Sequence, residues 1–238
     1  MKNRATAVIA VVLLICAVPA LSLAMTAYNQ DFEALNQSST SALADAGWVV
    51  YANVFGPDWA YWYGYGVFPA PNDGAAFCAI VTGEGGAAQG NQQMSVFSDY
   101  NNVQHGIGAH IESLVFHEQA IDASDVGQTW IFDFQAKLGN LAGSTTAVAF
   151  IKTLNPAAGY ATTNYIPLDM TSTPASWTDY TLSLAIDASL VGQLLQIGFA
   201  NTATNYEGSG VFYDNVNFHT ETVANEDLSW GGVKSLYK

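Results

Sequence analysis

Apolar residues in much of this chain recur at every second position. Trp130, Phe132, Phe134 and Ala136 alternate with Ile131, Asp133, Gln135 and Lys137, and Tyr180, Leu182, Leu184 and Ile186 alternate with Thr181, Ser183 and Ala185. Leu195, Ile197 and Phe199 alternate with Gln196, Gly198 and Ala200. Successive side chains of a strand point to opposite faces, so each segment reads as a strand with one face in a core. Further strands are expected at 48–55, 76–82, 93–98, 110–117, 147–153 and 210–219. Turn-rich joints separate them, such as Ala-Pro-Asn-Asp-Gly at 70–74 and Asn-Pro-Ala-Ala-Gly at 155–159. Residues 187–195 add a helical turn at most. Many short strands without long helices predict an all-β fold, an antiparallel sandwich of the jelly-roll type. No internal repeat and no Pro- or Ser-rich linker divides the chain, so one domain over residues 25–220 is expected.

The amino terminus does not fit that pattern. A short basic start, Met1 to Arg4, precedes an almost wholly apolar run to Ala20, and Ser22 and Ala24 take the small-residue positions of a cleavage site. Residues 1–24 therefore read as a signal peptide, and the run is short and broken by Pro19 for a membrane span. A secreted or extracellular protein follows, with periplasm or cell surface as alternatives, and no membrane insertion after the signal is removed. Cys78 is then the single remaining cysteine, so no intrachain disulfide can form. The tail at 221–238 is polar and then aromatic. It reads as a loosely packed end or as an attachment peptide that adds to a partner's sheet edge.

Charge excludes whole classes of partner. The six basic residues are Lys2, Arg4, Lys137, Lys152, Lys234 and Lys238, against 20 acids. Without the first two the balance is 4 − 20 = −16. No basic patch remains to neutralise phosphates, which argues against nucleic acid and anionic lipid.

The same shortage of cations makes one acid conspicuous. In the segment Gly-Val-Phe-Tyr-Asp-Asn-Val-Asn-Phe at 210–218, strict alternation places Phe212, Asp214, Val216 and Phe218 on one face. A carboxylate on an apolar face needs a partner, and without Arg a hard cation held by oxygens is the natural one. Asp31-Phe32-Glu33 near the start offers matching acids. First and last strands of a sandwich are often neighbours, which would bring Glu33 to Asp214. The alternative is that these acids cap strand ends in water.

These segments carry a resemblance. A Gln-Asp-Phe-Glu opening at 30–33, Ala-Gly-Trp at 46–48, Ser-Trp-Thr-Asp-Tyr-Thr-Leu at 176–182 and the Phe-Tyr-Asp-Asn-Val-Asn-Phe close at 212–218 follow in order. This order resembles the carbohydrate-binding-module and galactose-binding-like jelly rolls over residues 28 to 219. The resemblance implies a structural Ca²⁺ ligated by Glu33 and Asp214, with Asp31 an extra ligand or a bystander. Gln30-Asp31 stands where those proteins usually carry Asn-Gly.

The densest aromatic stretch, Trp-Ala-Tyr-Trp-Tyr-Gly-Tyr-Gly-Val-Phe at 59–68, offers flat apolar faces of the kind that stack on sugar rings. Trp59 and Trp62 are the candidate stacking residues, with Tyr61, Tyr63 and Tyr65 alternating away. Gln92 and Asn101 are candidates to bind hydroxyls. The competing account is a long loop covering one end of the core. The histidines form no His-Glu-x-x-His helix, and no serine sits in a nucleophile elbow, so structural roles are expected for them. The favoured function is a secreted, non-catalytic carbohydrate-binding domain stabilised by calcium. A self-assembling or surface-attached structural protein is the alternative, and a glycan-active hydrolase ranks last.

Overall fold

The computed structural model describes residues 24–68 and 77–221. Residues 1–23 of the expected signal peptide, the turn at 70–74 and the tail beyond Glu221 lie outside them. Among the described residues, twelve strands form two six-stranded sheets. The first sheet holds β4 (Cys78–Thr82), β5 (Gln92–Val96), β7 (Thr129–Leu138), β10 (Thr178–Ala185) and β12 (Val211–Thr220), in the order β10-β7-β12-β5-β4. β1 (Tyr28–Gln30) also pairs with β12. The second sheet holds β2 (Trp48–Phe55), β3 (Tyr61–Phe68), β6 (His110–Ala120), β8 (Thr146–Asn155), β9 (Ala161–Asp169) and β11 (Leu194–Ala203), in the order β3-β2-β6-β11-β8-β9. Every pairing is antiparallel. The fold is an antiparallel β-sandwich of the jelly-roll type, and the α-helix among the described residues is the short α1 (Ala42–Asp45), beside short 3-10 turns.

The alternation read from the sequence is the pattern that fills the core. Trp130, Phe132, Phe134 and Ala136 of β7 face inward, as do Leu195, Ile197 and Phe199 of β11. Phe199 closes the seam between the sheets: it stacks on Tyr213 at 3.7 Å and meets Phe134 edge-on at 5.1 Å. Such ring contacts add roughly 0.5–1.5 kcal/mol each beyond their buried area.

Two expectations fail here. The aromatic stretch at 59–68 is no loop, because residues 61–68 form the edge strand β3 along β2. Its glycines make the pairing feasible. A Cβ on Gly64 would collide with the Tyr51 hydroxyl, and Gly66 sits at φ +130 with Val50 O 2.9 Å from where a Cβ would stand.

The second failure concerns Asp214. A bulge between Asp214 and Asn217, with Asn215 at φ 48, shifts the alternation of β12. Tyr213, Val216 and Phe218 point into the core, whereas Phe212 and Asp214 pair with Lys137 and Gln135 on the outer face. An extra residue on one strand of a pair reverses the faces beyond it.

Candidate functional site

The outward face of the second sheet is built from rows of cross-strand neighbours. Phe55 pairs with His110, Asn53 with Glu112, and Tyr51 with Leu114, so β2 and β6 contribute matched side chains to the side away from the core. β11 continues these rows with Thr202 opposite Glu112 and Ala200 opposite Leu114. On β8, Phe150 and Lys152 share this face, and Lys152 pairs with Tyr165 of β9. Small residues at the centre of β11 leave a trough. Ala200 lines it, whereas the space that a Cβ on Gly198 would take is already filled by Val115 O and Phe116. The resulting hollow of about 320 Å³ is lined by Glu112, Leu114, Phe150, Lys152, Thr162, Tyr165 and Ala200.

Its polar groups are ordered. Asn53 Nδ2 donates to Glu112 Oε1 at 2.8 Å, and Gln196 Nε2 donates to Glu118 Oε2 at 2.6 Å. The Lys152 ammonium lies 5.1 Å from the Phe150 ring centre. Burial pushes its pKa below that of an ordinary lysine, and the fields of Glu112 and Glu118 oppose that shift.

One end of this face carries the exposed rings. Trp59 is 56% exposed, Tyr61 60% and Trp62 42%. Trp59 has φ 65, a left-handed conformation that a bulky residue adopts at a cost. Its backbone closes a turn in which Trp59 N donates to Gly56 O at 2.9 Å and Gly56 N to Ala60 O at 2.7 Å. The indole then lies flat on His110, 3.7 Å between centres and 19° between planes, with Phe55 5.8 Å away. Tyr61 pairs with Phe55 and joins this side, while Tyr63 and Tyr65 pair with the inward-facing Val54 and Ala52. Trp62 folds back over Gly56, where its Nε1 comes within 2.8 Å of a Cβ position.

The two hydroxyl-binding candidates are not brought to these rings. Gln92 is buried in the first sheet, and its Nε2 is held by Phe32 O at 3.0 Å, Glu33 O at 2.9 Å and Leu35 O at 3.0 Å. Asn101 lies in the exposed loop after β5, its N donating to Asp99 Oδ1 at 2.9 Å. That loop borders the other side of β3: Asn102 Nδ2 donates to Tyr65 Oη at 3.0 Å, and Tyr65 Oη donates to Asp99 Oδ2 at 2.6 Å. Sequence reasoning missed Tyr51, Asn53, Glu112, Lys152 and Tyr165. Each falls on an outward position of its strand, but which outward positions meet depends on strand order and register.

The acids of the expected metal site lie near enough for Glu33 and Asp31 to act electrostatically on Asp214. Glu33 Oε1 accepts from Asn91 N at 2.7 Å and Gln92 N at 2.5 Å, and a Cβ on Gly90 would stand 2.7 Å from the same carboxylate oxygen. Asp214 is fully buried. Its Oδ1 accepts from Asn215 N at 2.6 Å, and its Oδ2 and the Oε1 of Gln93 have no hydrogen-bond partner among the described residues. Burial raises the Asp214 pKa to about 7; the bond from Asn215 lowers it, and the negative fields of Glu33 and Asp31 raise it further. Asp31 is exposed and accepts from Glu33 N at 3.2 Å, in a turn of its own. No three His, Cys, Asp or Glu side chains converge at metal-binding geometry among the described residues. The available donors are nevertheless all oxygens, two of them buried and unpartnered, which suits a hard cation.

The histidines have structural partners. His105 Nε2 lies 3.1 Å from Asp99 O, His117 stacks on Tyr28, and His219 Nε2 lies 2.9 Å from Asp133 Oδ2.

No protein-family model matches the chain, and no curated protein matches its sequence. Solved structures are similar to it in fold. The enzymatically active domain of tailspike protein 4 of bacteriophage CBA120 is 12% identical, with 79% of this chain and 22% of that one covered and a TM-score of 0.46. This chain thus spans about a fifth of that structure's length. A cyclase from Fischerella sp. TAU is 16% identical over 74% of this chain and 85% of its own, with a TM-score of 0.45. The CBM22-2 xylan-binding domain from Paenibacillus barcinonensis is 13% identical over 82% and 99%, with a TM-score of 0.41. Carbohydrate-binding modules recur among the similar structures. At these identities and scores the likeness says nothing of what this chain binds.

Proposed function

We propose that this chain is a non-catalytic carbohydrate-binding domain of an exported protein, with the glycan lying across the outward face of the second sheet. The observation that carries this reading is the exposed set Trp59, Tyr61 and Trp62 at one end of a trough whose polar groups are already oriented. Exposed rings cost hydration free energy that a stacked sugar face would recover. Asn53, Glu112, Lys152 and Tyr165 supply both donors and acceptors, as a row of hydroxyls requires. Neutral glycans suit the face better than acidic ones, because Lys152 stands against Glu112 and Glu118.

Calcium belongs to the same proposal as a stabilising ion. Glu33 and Asp214, with Gln93 and backbone oxygens, would hold it, and its role would be to neutralise a buried carboxylate. No chemistry on a substrate is assigned to it.

A glycan array probed with the exported chain, followed by calorimetric titration of the strongest neutral ligand, tests the reading. Saturable binding lost in Trp59→Ala supports it. Absence of any glycan signal, together with concentration-dependent association of the chain, overturns it in favour of a self-assembling surface protein.

A further inference from the structure

The opposite sheet carries a second hollow, of about 610 Å³, within the size range of small-molecule sites. Its floor is one cross-strand row in which Phe212 of β12 pairs with Ser95 of β5 on one side and Lys137 of β7 on the other. A half-buried ring is therefore flanked by a hydroxyl and an ammonium. Glu84, Tyr100 and Asn140 stand around it.

The charged groups of this hollow are fixed in place. Lys137 Nζ lies 2.8 Å from Glu84 Oε2 and donates to Glu84 O at 2.6 Å. The same ammonium sits 5.4 Å from the Phe212 ring centre and 5.6 Å from that of Trp177. Trp177 Nε1 in turn donates to Glu84 O at 3.0 Å. Asn140 Oδ1 accepts from Gly210 N at 2.8 Å, and Asn140 and Ser95 both line the hollow.

These groups select a ligand class by elimination. An anion gains little, because the one cation lining the hollow is already paired with Glu84 and the whole chain is strongly acidic. A wholly apolar ligand would strip water from Ser95, Asn140 and the ion pair without replacing its hydrogen bonds. A neutral polyhydroxylated ring meets both demands. Its C–H face packs on Phe212, and its hydroxyls donate to Glu84 and accept from Lys137 and Asn140.

We infer that this hollow is a second ligand site, independent of the face carrying Trp59, that takes a single neutral pyranose or the end residue of a glycan.

The Trp177 indole N–H reports on the site because it is bonded to Glu84 O. The exported chain is titrated by ¹H–¹⁵N NMR with the methyl β-glycosides of glucose, galactose and xylose. The expected result is a saturable shift of the Trp177 indole signal with at least one of them. Lys137→Met and Ser95→Ala should each weaken it about tenfold, the loss of one good hydrogen bond, and Trp59→Ala should leave it unchanged. No saturable Trp177 response to any of the three overturns the inference, as does a response unaltered in both variants. Should Lys137→Met fail to fold, Ser95→Ala alone decides. A chain that binds no oligosaccharide at Trp59 yet shifts at Trp177 loses the first site and keeps this one.

Discussion

Trp59 and Gln92 show how differently two polar or aromatic candidates from one sequence can be used. Trp59 keeps more than half of its surface in solvent while its backbone holds a left-handed conformation. Trp59→Ala should therefore weaken glycan affinity about tenfold, as loss of an aromatic anchor does. Its melting temperature should stay within about 2 °C of the parent, since little buried contact is lost. A variant that unfolds would mean that the ring belongs to the core. Gln92 does the reverse work. Its amide gathers the carbonyls of Phe32, Glu33 and Leu35 and so fixes the turn that presents Glu33. Gln92→Leu should cost about 2–3 kcal/mol in a denaturant titration, because carbonyls buried without partners are penalised. Unchanged stability would show that water reaches that turn.

At the scale of elements, β3 is an edge strand whose pairing depends on two glycines. Gly64→Val would drive the Tyr51 ring away from its place over the strand. We expect a loss of about 1–3 kcal/mol and faster amide exchange confined to β2 and β3, with glycan binding falling in parallel. Exchange that stays slow would mean that the strand tolerates a side chain there. Another inter-strand contact is pH-dependent. His219 on β12 lies against Asp133 on β7, and its hydrogen bonds to Asp133 and to Thr220 O raise its pKa. A histidine that holds its proton more tightly when folded contributes stability that is complete below its unfolded pKa. That contribution is lost as pH rises through the folded value. The chain should accordingly be more stable at pH 5.5 than at pH 8 by an increment that disappears in His219→Gln. An identical pH slope in the variant would assign the effect to other groups.

At the scale of the molecule, the two sheets are joined by a ring-filled core, and the first and last strands meet beside one buried acid. Asp214 is kept from its usual ionisation by burial and by the fields of Glu33 and Asp31. An ion bound only by the native state stabilises it by about 2.7 kcal/mol at a hundredfold excess over Kd. EDTA should lower the melting temperature by several degrees, and millimolar Ca²⁺ should restore it. Asp214→Asn and Glu33→Gln should each abolish that response, because a neutral amide is the weaker ligand for a hard cation. A melting curve indifferent to EDTA, with no ion found by elemental analysis, would leave Asp214 as a neutral buried acid.

The strand pattern and the inward residues of β7, β10 and β11 were determined locally, because side-chain direction alternates with every residue and a buried face must be apolar. The same local logic set the inward positions Leu195, Ile197 and Phe199 of β11. It misread 61–68 as a loop, since glycines that weaken a strand in isolation here make room for Tyr51. It also missed β9, whose exposed Thr-Thr-Asn-Tyr run carries no apolar alternation. The bulge in β12 misled it again, because strict alternation assigns Asp214 to the core face, and one extra residue moves it to the other. The trough beside Trp59 and the row Ser95–Phe212–Lys137 were beyond any local pattern. Their members come from strands far apart in the chain, and only the order and register of the sheets decide which outward side chains become neighbours.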